Sequence, residues 1–362
     1  MIERIRKSFA KARTCHHGGK VRQASALLGR EPLDFSANIN PLGSPALEEV
    51  ILKELKSLGH YPDNSYAEFK QACADFIGVY PQNIVPGNGS SELIRLFAGA
   101  ALEDRDLALI PQPTFGEYEA QARLSGGRIK KITLEEDGMP ILSDGDLQEA
   151  KALFLCNPNN PTGVLLSRDK ALEVARRCEE AKVFLLLDEA FIELSDPDQS
   201  LAVVAPDMEY LFVMRSMTKS FGVPGLRLGF GVTNSILAGI MDCARIPWSI
   251  SSIASRAGVY LLKHSGYLKE SRDLIQVEKA WLMNALAGLG FKPKDSSVNF
   301  ILVDISPTGM SSIELARRAM KEGILIRDCT SFGLQGYIRV AVRGREENGK
   351  LIDALGRALC RD

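Results

Sequence analysis

Short apolar runs alternate with helical patterns through the middle of the chain. Five runs rich in β-forming residues occur at 107–111, 152–156, 183–187, 210–214 and 228–232. Between them, apolar residues recur every three or four positions, which is the spacing of helices that bury one face. The third run has no polar alternation, as expected of a strand buried on both sides. The pattern predicts an α/β fold whose large, mostly parallel sheet is flanked by helices.

The pattern changes beyond about residue 240. A long helix is predicted at roughly 267–289, followed by strands at 298–303, 324–327 and 337–342. These elements indicate a second, smaller α+β domain. The predicted division is an N-terminal segment at 1–45 that joins the small domain, a large cofactor-binding domain at 46–239 and a small C-terminal domain at 240–362.

Two helices before the first of these runs have predicted ends. Ser65 and Glu68 have the spacing of a capping box, and Gly78 stands where that helix should stop. Ser44 and the proline after it are expected to open an earlier helix that ends near Gly59.

Composition limits the class of partner. The 362 residues carry a formal net charge of −1, so no strong field attracts nucleic acid or a membrane surface. No apolar run is long enough to span a bilayer, and the N-terminus lacks the apolar part of a secretory signal. A small-molecule partner is expected, with neither nucleic acid nor membrane.

Cysteine and histidine usage indicates a reducing compartment. The seven cysteines are scattered without a CxxC pair, and the four histidines lack metal-ligand spacing. We therefore expect a cytoplasmic protein with no metal site. Cys73 and Cys156 are predicted to pack in the core, and Cys360 to be an exposed thiol.

A glycine-rich turn is the first candidate for chemistry. Residues 87–92 read Gly-Asn-Gly-Ser-Ser-Glu and open an apolar helical pattern. Gly89 lets the backbone approach a ligand closely, and Ser90 and Ser91 stand at the helix N-terminus, where free N–H groups bind phosphate. Alone, such a turn more often only starts a helix.

Polar residues follow three of the predicted strands. Residues 157–163 form an Asn- and Pro-rich turn, and Asp188 ends an apolar strand, where a carboxylate requires a positive partner. Lys219 follows the next strand, and Arg227 comes eight residues later. A lysine enclosed by the sheet and a ligand can have its pKa lowered enough to form an imine.

Together these features describe a site for pyridoxal 5'-phosphate. Lys219 would form the imine, and Asp188 would keep the pyridine nitrogen protonated so that the ring accepts electrons. The groups predicted to hold the cofactor phosphate are Gly89, Ser90, Ser91, Ser216 and Arg227.

With these motifs the sequence resembles the fold-type I pyridoxal-phosphate aminotransferase superfamily, from about His17 to Arg343. The resemblance implies that Asn160 contacts the phenolate oxygen of the cofactor and that Phe115 stacks on its ring. It also implies that Tyr61 reaches the cofactor phosphate of a neighbouring subunit. A homodimer whose sites are shared between subunits is therefore expected.

Two branches of that superfamily compete: the threonine-phosphate decarboxylases of cobalamin synthesis and the histidinol-phosphate aminotransferases. Segments 17–19, 34–43, 247–249 and 337–343 resemble the decarboxylases. The aminotransferases usually have a glutamate where Ile39 stands. Decarboxylation of L-threonine O-3-phosphate is the expected activity, and histidinol-phosphate transamination is the alternative.

Substrate orientation gives a physical reason for decarboxylation. The bond perpendicular to the cofactor ring breaks, so arginines that hold a substrate phosphate would leave the carboxylate free to turn and depart. The resemblance implies substrate contacts from His17, Asn38, Asn160, Arg327 and Arg339. Arg343 is left open between phosphate binding and a solvated strand end.

Phe191 departs from the superfamily pattern. Many aminotransferases have a tyrosine there that donates to the phenolate oxygen, which Phe191 cannot do. Without that donor, the imine with Lys219 is expected to stay protonated to higher pH. A non-catalytic binding module on the same fold is disfavoured, because Lys219, Asp188 and Asn160 are all present.

Overall fold

A computed structural model describes residues 4–360. Its centre is a seven-stranded sheet with the spatial order β2-β8-β7-β6-β5-β3-β4, in which only β8 runs antiparallel to its neighbours. The strands of the chain are β1 (Leu33–Asp34), β2 (Ile84–Gly87), β3 (Leu107–Gln112), β4 (Arg128–Thr133), β5 (Ala150–Cys156), β6 (Phe184–Asp188), β7 (Leu211–Ser216), β8 (Gly229–Val232), β9 (Lys292–Pro293), β10 (Phe300–Asp304), β11 (Ile324–Leu325), β12 (Arg327–Asp328) and β13 (Tyr337–Ala341).

The predicted α/β fold is confirmed, and helices cover both faces of the large sheet. None of the helices within residues 4–360 is long and apolar enough to cross a membrane. The helices are α1 (Lys7–Ala10), α2 (Val21–Leu28), α3 (Glu48–Glu54), α4 (Ala67–Ile77), α5 (Ser90–Ala101), α6 (Glu117–Ser125), α7 (Asp144–Glu149), α8 (Arg168–Glu180), α9 (Met217–Ser220), α10 (Ser235–Ala244), α11 (Ser252–Lys263), α12 (Tyr267–Gly288), α13 (Ser312–Lys321) and α14 (Arg345–Leu359).

Strand β6 has the two-sided burial that its apolar run predicts. Leu185 and Leu187 belong to the hydrophobic core on one face of the sheet, and Leu186 to the core on the other face. The parallel register with β5 places Cys156 opposite Asp188. The carboxyl ends of the central strands therefore meet at one edge of the sheet, which is where open α/β sheets bind ligands.

The C-terminal part is a smaller α+β unit, as predicted. Its antiparallel sheet has the order β12-β13-β10-β9 and shares a separate hydrophobic core with α12, α13 and α14. The strand predicted at 324–327 is divided, because β11 pairs with β1 whereas β12 pairs with β13. The pair β1–β11 and buried Phe35 attach part of the N-terminal segment to this unit.

The division after residue 239 stays a proposal. Ala254 and Ala257 of α11 lie in the same core as Phe69, on the large-sheet side. Helix α12 joins both units, since its Ile275 packs in that core and its Leu282 packs in the C-terminal core.

Two predicted helix starts are wrong, for local reasons. At α4, the carboxylate of Asp63 accepts hydrogen bonds from the Ala67 backbone N–H at 3.0 Å and the Ser65 hydroxyl at 2.7 Å. Asp63 thus takes the place of the expected Ser65–Glu68 capping box, while Gly78 ends the helix in a left-handed conformation as predicted. The earlier helix starts only at Glu48, after Leu47 rather than Ser44.

Candidate active site

A cavity of about 340 Å³ opens between the carboxyl edge of the large sheet and the C-terminal unit. The sheet supplies polar groups where β5, β6 and β7 end, and β12 and β13 supply arginines from the other side. The cavity gathers most of the predicted site residues: His17, Asn38, Ser90, Ser91, Phe115, Asn160, Asp188, Phe191, Ser216, Lys219, Arg227, Arg327 and Arg339.

The glycine-rich turn and Arg227 form a cradle at one end of the cavity. Gly89 precedes α5 with a φ of 75°, and a Cβ at Gly89 would lie 2.5 Å from Nη2 of Arg227. Ser90 and Ser91 begin the twelve-residue helix α5, whose N-terminal N–H groups favour an anion. The cradle therefore combines a glycine, a helix N-terminus and a guanidinium group, which together suit the binding of a phosphate group.

Asp188 ends β6 as a buried carboxylate. The Tyr118 hydroxyl donates to Oδ2 at 2.6 Å, and the Ala190 backbone N–H donates to Oδ1 at 2.9 Å. Within residues 4–360, no lysine, arginine or histidine forms an ion pair with it, and burial raises its pKa to about 6. The cationic partner predicted for Asp188 is therefore not a side chain of the described residues. A protonated pyridine nitrogen of the cofactor fits this position.

Lys219 lies on the short helix α9, directly after β7. Burial, followed by the positive charges of Arg339 and Arg227, lowers the pKa of its amine to about 8. This confirms the expected direction of the shift. A neutral amine is then available near neutral pH to attack an aldehyde.

Arg339 on β13 is a buried cation beside Lys219. It donates to the side-chain oxygen of Asn160 and, at 3.0 Å, to the backbone oxygen of Ser36. Its Nε has no hydrogen-bond partner among the described residues, and burial lowers its pKa to about 10. Because Arg339 has no ion-pair partner within residues 4–360 and lines the cavity, its guanidinium can bind an anionic group of a ligand.

Residues 15–19, which we call the N-terminal strap, cross the outer part of the cavity. The imidazole of His17 contacts Glu117 at 2.9 Å, and Arg327 donates to the backbone oxygen of His16 at 2.9 Å. Gly18 is required for the close approach, because a Cβ there would lie 2.4 Å from the backbone oxygen of Ser36. The strap thereby places His17 and Arg327 at the same end of the cavity.

Gly89 contributes to the cradle without lining the cavity, and two further candidate site residues lie outside the cavity of their own chain. Tyr61 is 80% exposed and packs against Trp248 with tilted rings, with 4.6 Å between the ring centroids. Arg343 pairs with Glu347 at 2.7 Å and donates to the backbone oxygen of Asp34 at 3.0 Å. The contacts of Arg343 favour the structural alternative over phosphate binding.

Sequence reasoning missed three residues near the site. Tyr118 follows Phe115 by about one helical turn, and that spacing was the available signal. Glu117 and Phe332 gave no comparable signal. Glu117 is identified only by its contact with His17, and Phe332 by the guanidinium of Arg327, 5.1 Å from the ring centroid.

Comparison with known proteins defines the class. A model of the aminotransferase class I and II family matches residues 30–355, so the chain belongs to that family. The threonine-phosphate decarboxylase of Salmonella typhimurium is 35% identical over 355 residues, covering 95% of this chain and 96% of that protein. Histidinol-phosphate aminotransferase 2 of Archaeoglobus fulgidus is 34% identical over 330 residues, covering 90% and 93%.

A solved structure supports the fold. The histidinol-phosphate aminotransferase from Sinorhizobium meliloti, in complex with pyridoxal-5'-phosphate, aligns with a TM-score of 0.86 at 22% identity. The alignment covers 98% of this chain and 97% of that one. The phosphate cradle, the buried Asp188 and the amine of Lys219 all fit pyridoxal 5'-phosphate, which we identify as the cofactor of this family member.

Proposed function

We propose that this protein is a pyridoxal-phosphate-dependent lyase that decarboxylates L-threonine O-3-phosphate to (R)-1-aminopropan-2-ol O-phosphate, a step of cobalamin biosynthesis. The observation that carries the proposal is the placement of basic groups around the cavity. Arg339 lies deep beside Lys219, and Arg327 and His17 lie together at the outer end. A small substrate with two separate anionic groups matches this arrangement.

The outer group suits a phosphate. Arg327 is partly exposed and donates to the hydroxyl of Ser331 and to the strap, so its guanidinium faces the cavity mouth. Asn38 is buried at the cavity wall, and within residues 4–360 its side-chain oxygen has no hydrogen-bond partner, so it can accept from a donor group of the ligand, whereas only its amide N–H could contact a phosphate. Arg327 and His17 would bind the substrate phosphate at the outer end. The substrate carboxylate would then lie at the inner end of the cavity, where Arg339 determines its orientation.

The bound cofactor supplies an electron sink for the electron pair that the departing carbon dioxide leaves at Cα. Asp188 holds the proton at the pyridine nitrogen. The Asn160 oxygen accepts from Arg339, so the donor that Asn160 offers to a ligand in the cavity is its side-chain amide N–H. Lys219, whose pKa is about 8, donates a proton to Cα after carbon dioxide has left.

A homodimer is part of the proposal. Tyr61 and Trp248 form an exposed aromatic pair, and the nearby side chains of Leu58 and Ile246 are also exposed. A second copy covering this surface would bring Tyr61 toward the cofactor phosphate of its partner. Sedimentation of the holoenzyme at twice the monomer mass would support the dimer, whereas a monomer that retains the cofactor would contradict it.

The cytoplasm is the proposed compartment. All seven cysteines, which lie within the described residues, are free thiols, as expected where thiols stay reduced.

The alternative is transamination of histidinol phosphate, and one experiment separates the two. Purified holoenzyme is incubated with threonine phosphate alone and, separately, with histidinol phosphate plus 2-oxoglutarate. We expect carbon dioxide from the first mixture without any keto acid. Glutamate from the second mixture, with no carbon dioxide from the first, would overturn the proposal in favour of the aminotransferase.

A further inference from the structure

Tyr118 connects the wall of the cavity to Asp188. It lies in the first turn of α6, is fully buried and donates its hydroxyl proton to Oδ2 of Asp188 at 2.6 Å. Its ring packs face to face with Phe154 at 5.9 Å and edge to face with Phe115 at 5.7 Å. These two rings leave the hydroxyl little freedom to leave the carboxylate.

Within residues 4–360, the polar groups around the Asp188 carboxylate come from helix α6, strand β5 and the chain next to Asp188 itself. Tyr118 donates from α6 and the Ala190 N–H donates from the loop after β6, while the Glu189 carboxylate is the adjacent residue on the chain. The Cys156 thiol approaches from β5. Tyr118 is therefore the single side-chain hydrogen-bond donor to this carboxylate within residues 4–360.

Asp188 and the pyridine nitrogen of the cofactor would share one proton, so the basicity of the carboxylate decides which of the two groups holds it. Burial alone favours the neutral acid, and the two donated hydrogen bonds favour the carboxylate. A more basic carboxylate would take the proton from the pyridine nitrogen and leave two neutral groups. The ring would then accept electrons less well, although no proton would have left the site.

We propose that Tyr118 is a positioning residue that acts through Asp188: its hydroxyl, donated to Oδ2, keeps the shared proton on the pyridine nitrogen. The inference rests on the proposed cofactor but is independent of the choice between decarboxylation and transamination. Burial also raises the pKa of Tyr118 well above its ordinary value, so the hydroxyl stays protonated and remains a donor.

The test compares two variants that each lose one buried hydroxyl. Tyr118→Phe removes the donor to Asp188 and keeps the ring. Tyr66→Phe is the matched control, because Tyr66 is also buried and donates to the backbone oxygen of Ile250 at 3.0 Å, away from the cavity. Both holoenzymes are prepared with cofactor that is isotope-labelled at the pyridine nitrogen, and the nitrogen chemical shift is measured by NMR without substrate.

We expect the signal of the wild type and of Tyr66→Phe to be that of a protonated nitrogen. In Tyr118→Phe, the signal should shift toward the unprotonated value. A nitrogen chemical shift in Tyr118→Phe that equals the wild-type value would overturn the proposal and leave Tyr118 a packing residue.

The wild type provides a second measurement if Tyr118→Phe does not fold. An unprotonated pyridine nitrogen in the wild-type holoenzyme would itself overturn the proposal. Because no substrate is present, the result does not depend on which reaction is catalysed. A wild-type chain that binds no labelled cofactor would overturn the proposed function and, with it, this inference.

Discussion

The Nε2 atom of His17 lies 2.9 Å from Oε1 of Glu117, so that helix α6 holds the N-terminal strap over the cavity. Gln121 donates to the other oxygen of Glu117 at 3.0 Å, which fixes the carboxylate one turn along the same helix. The contact with His17 is the main reason that the pKa of Glu117 falls to about 2. Glu117 is consequently charged at neutral pH.

Glu117→Gln is expected to weaken substrate binding. Glutamine keeps an acceptor oxygen but loses the charge, and exchanging a charge-assisted hydrogen bond to His17 for a neutral one costs about 1 kcal/mol. The KM for threonine phosphate should therefore rise about fivefold, with a smaller change in kcat. Glu119→Gln on the same helix is the control, because Glu119 pairs with Arg123 outside the cavity. Equal KM values for the two variants would show that the strap does not need Glu117.

Arg327→Gln should raise the KM for threonine phosphate at least about tenfold, because charge-assisted hydrogen bonds to a phosphate are worth about 1.5–3 kcal/mol. Arg343→Gln is the matched variant. It loses an ion pair with Glu347 that is about one-third exposed on each side, so its KM should change by less than about twofold. Steady-state kinetics on both variants measures these KM values. A larger KM increase in Arg343→Gln than in Arg327→Gln would mean that Arg343, not Arg327, binds the phosphate.

Gly89→Ala should weaken retention of the cofactor. The new methyl group would meet Arg227, and the positive φ adds backbone strain of about 1–3 kcal/mol. The cofactor Kd, measured by dialysis and absorbance, should therefore rise about tenfold or more. Gly99→Ala, in the exposed part of the same helix α5, has no atom within 4 Å of its new methyl group and should stabilise the fold by about 0.5–1 kcal/mol with an unchanged Kd.

Cofactor capture by the apoenzyme should depend on pH through Lys219. The neutral amine attacks the aldehyde, and the folded-state pKa is lowered to about 8, so the rate should rise as the pH approaches about 8 and level off above it. Stopped-flow absorbance measures this rate. Arg339→Gln removes a nearby positive charge and should move the midpoint upward, whereas a midpoint at the ordinary value for lysine in the wild type would contradict the argument.

The sequence predicts the elements whose structure depends on residues close to each other along the chain. Strand β6 is apolar on both faces because it is central, and Asp188 is its last residue, so both the strand and its charge are visible in the sequence. Strand β4 was missed because it is an edge strand with exposed Arg128 and Lys130. Its identity as a strand comes from pairing with β3 rather than from its own pattern.

Tertiary contacts account for what the sequence could not show. Glu117 and His17 are separated by a hundred positions, and nothing in either segment signals the other. The error at α4 has a different origin, since Ser65 and Glu68 have suitable spacing but Asp63 competes for the same backbone donors. A short motif predicts which groups can cap a helix, and the loop geometry decides which group does.

Phe191 yields a spectroscopic prediction. It lines the cavity, is 5% exposed and packs edge to face on Phe300 at 5.2 Å, so its ring is held at the site without a donor. A tyrosine hydroxyl there would stabilise the phenolate anion and reduce its attraction for the imine proton. Phe191→Tyr should therefore lower the pH at which the near-visible absorbance of the holoenzyme titrates, and Phe191→Leu should leave it near the wild-type value because leucine also lacks a donor. A wild-type holoenzyme that already titrates at low pH, with no further change in Phe191→Tyr, would mean that another group supplies this hydrogen bond.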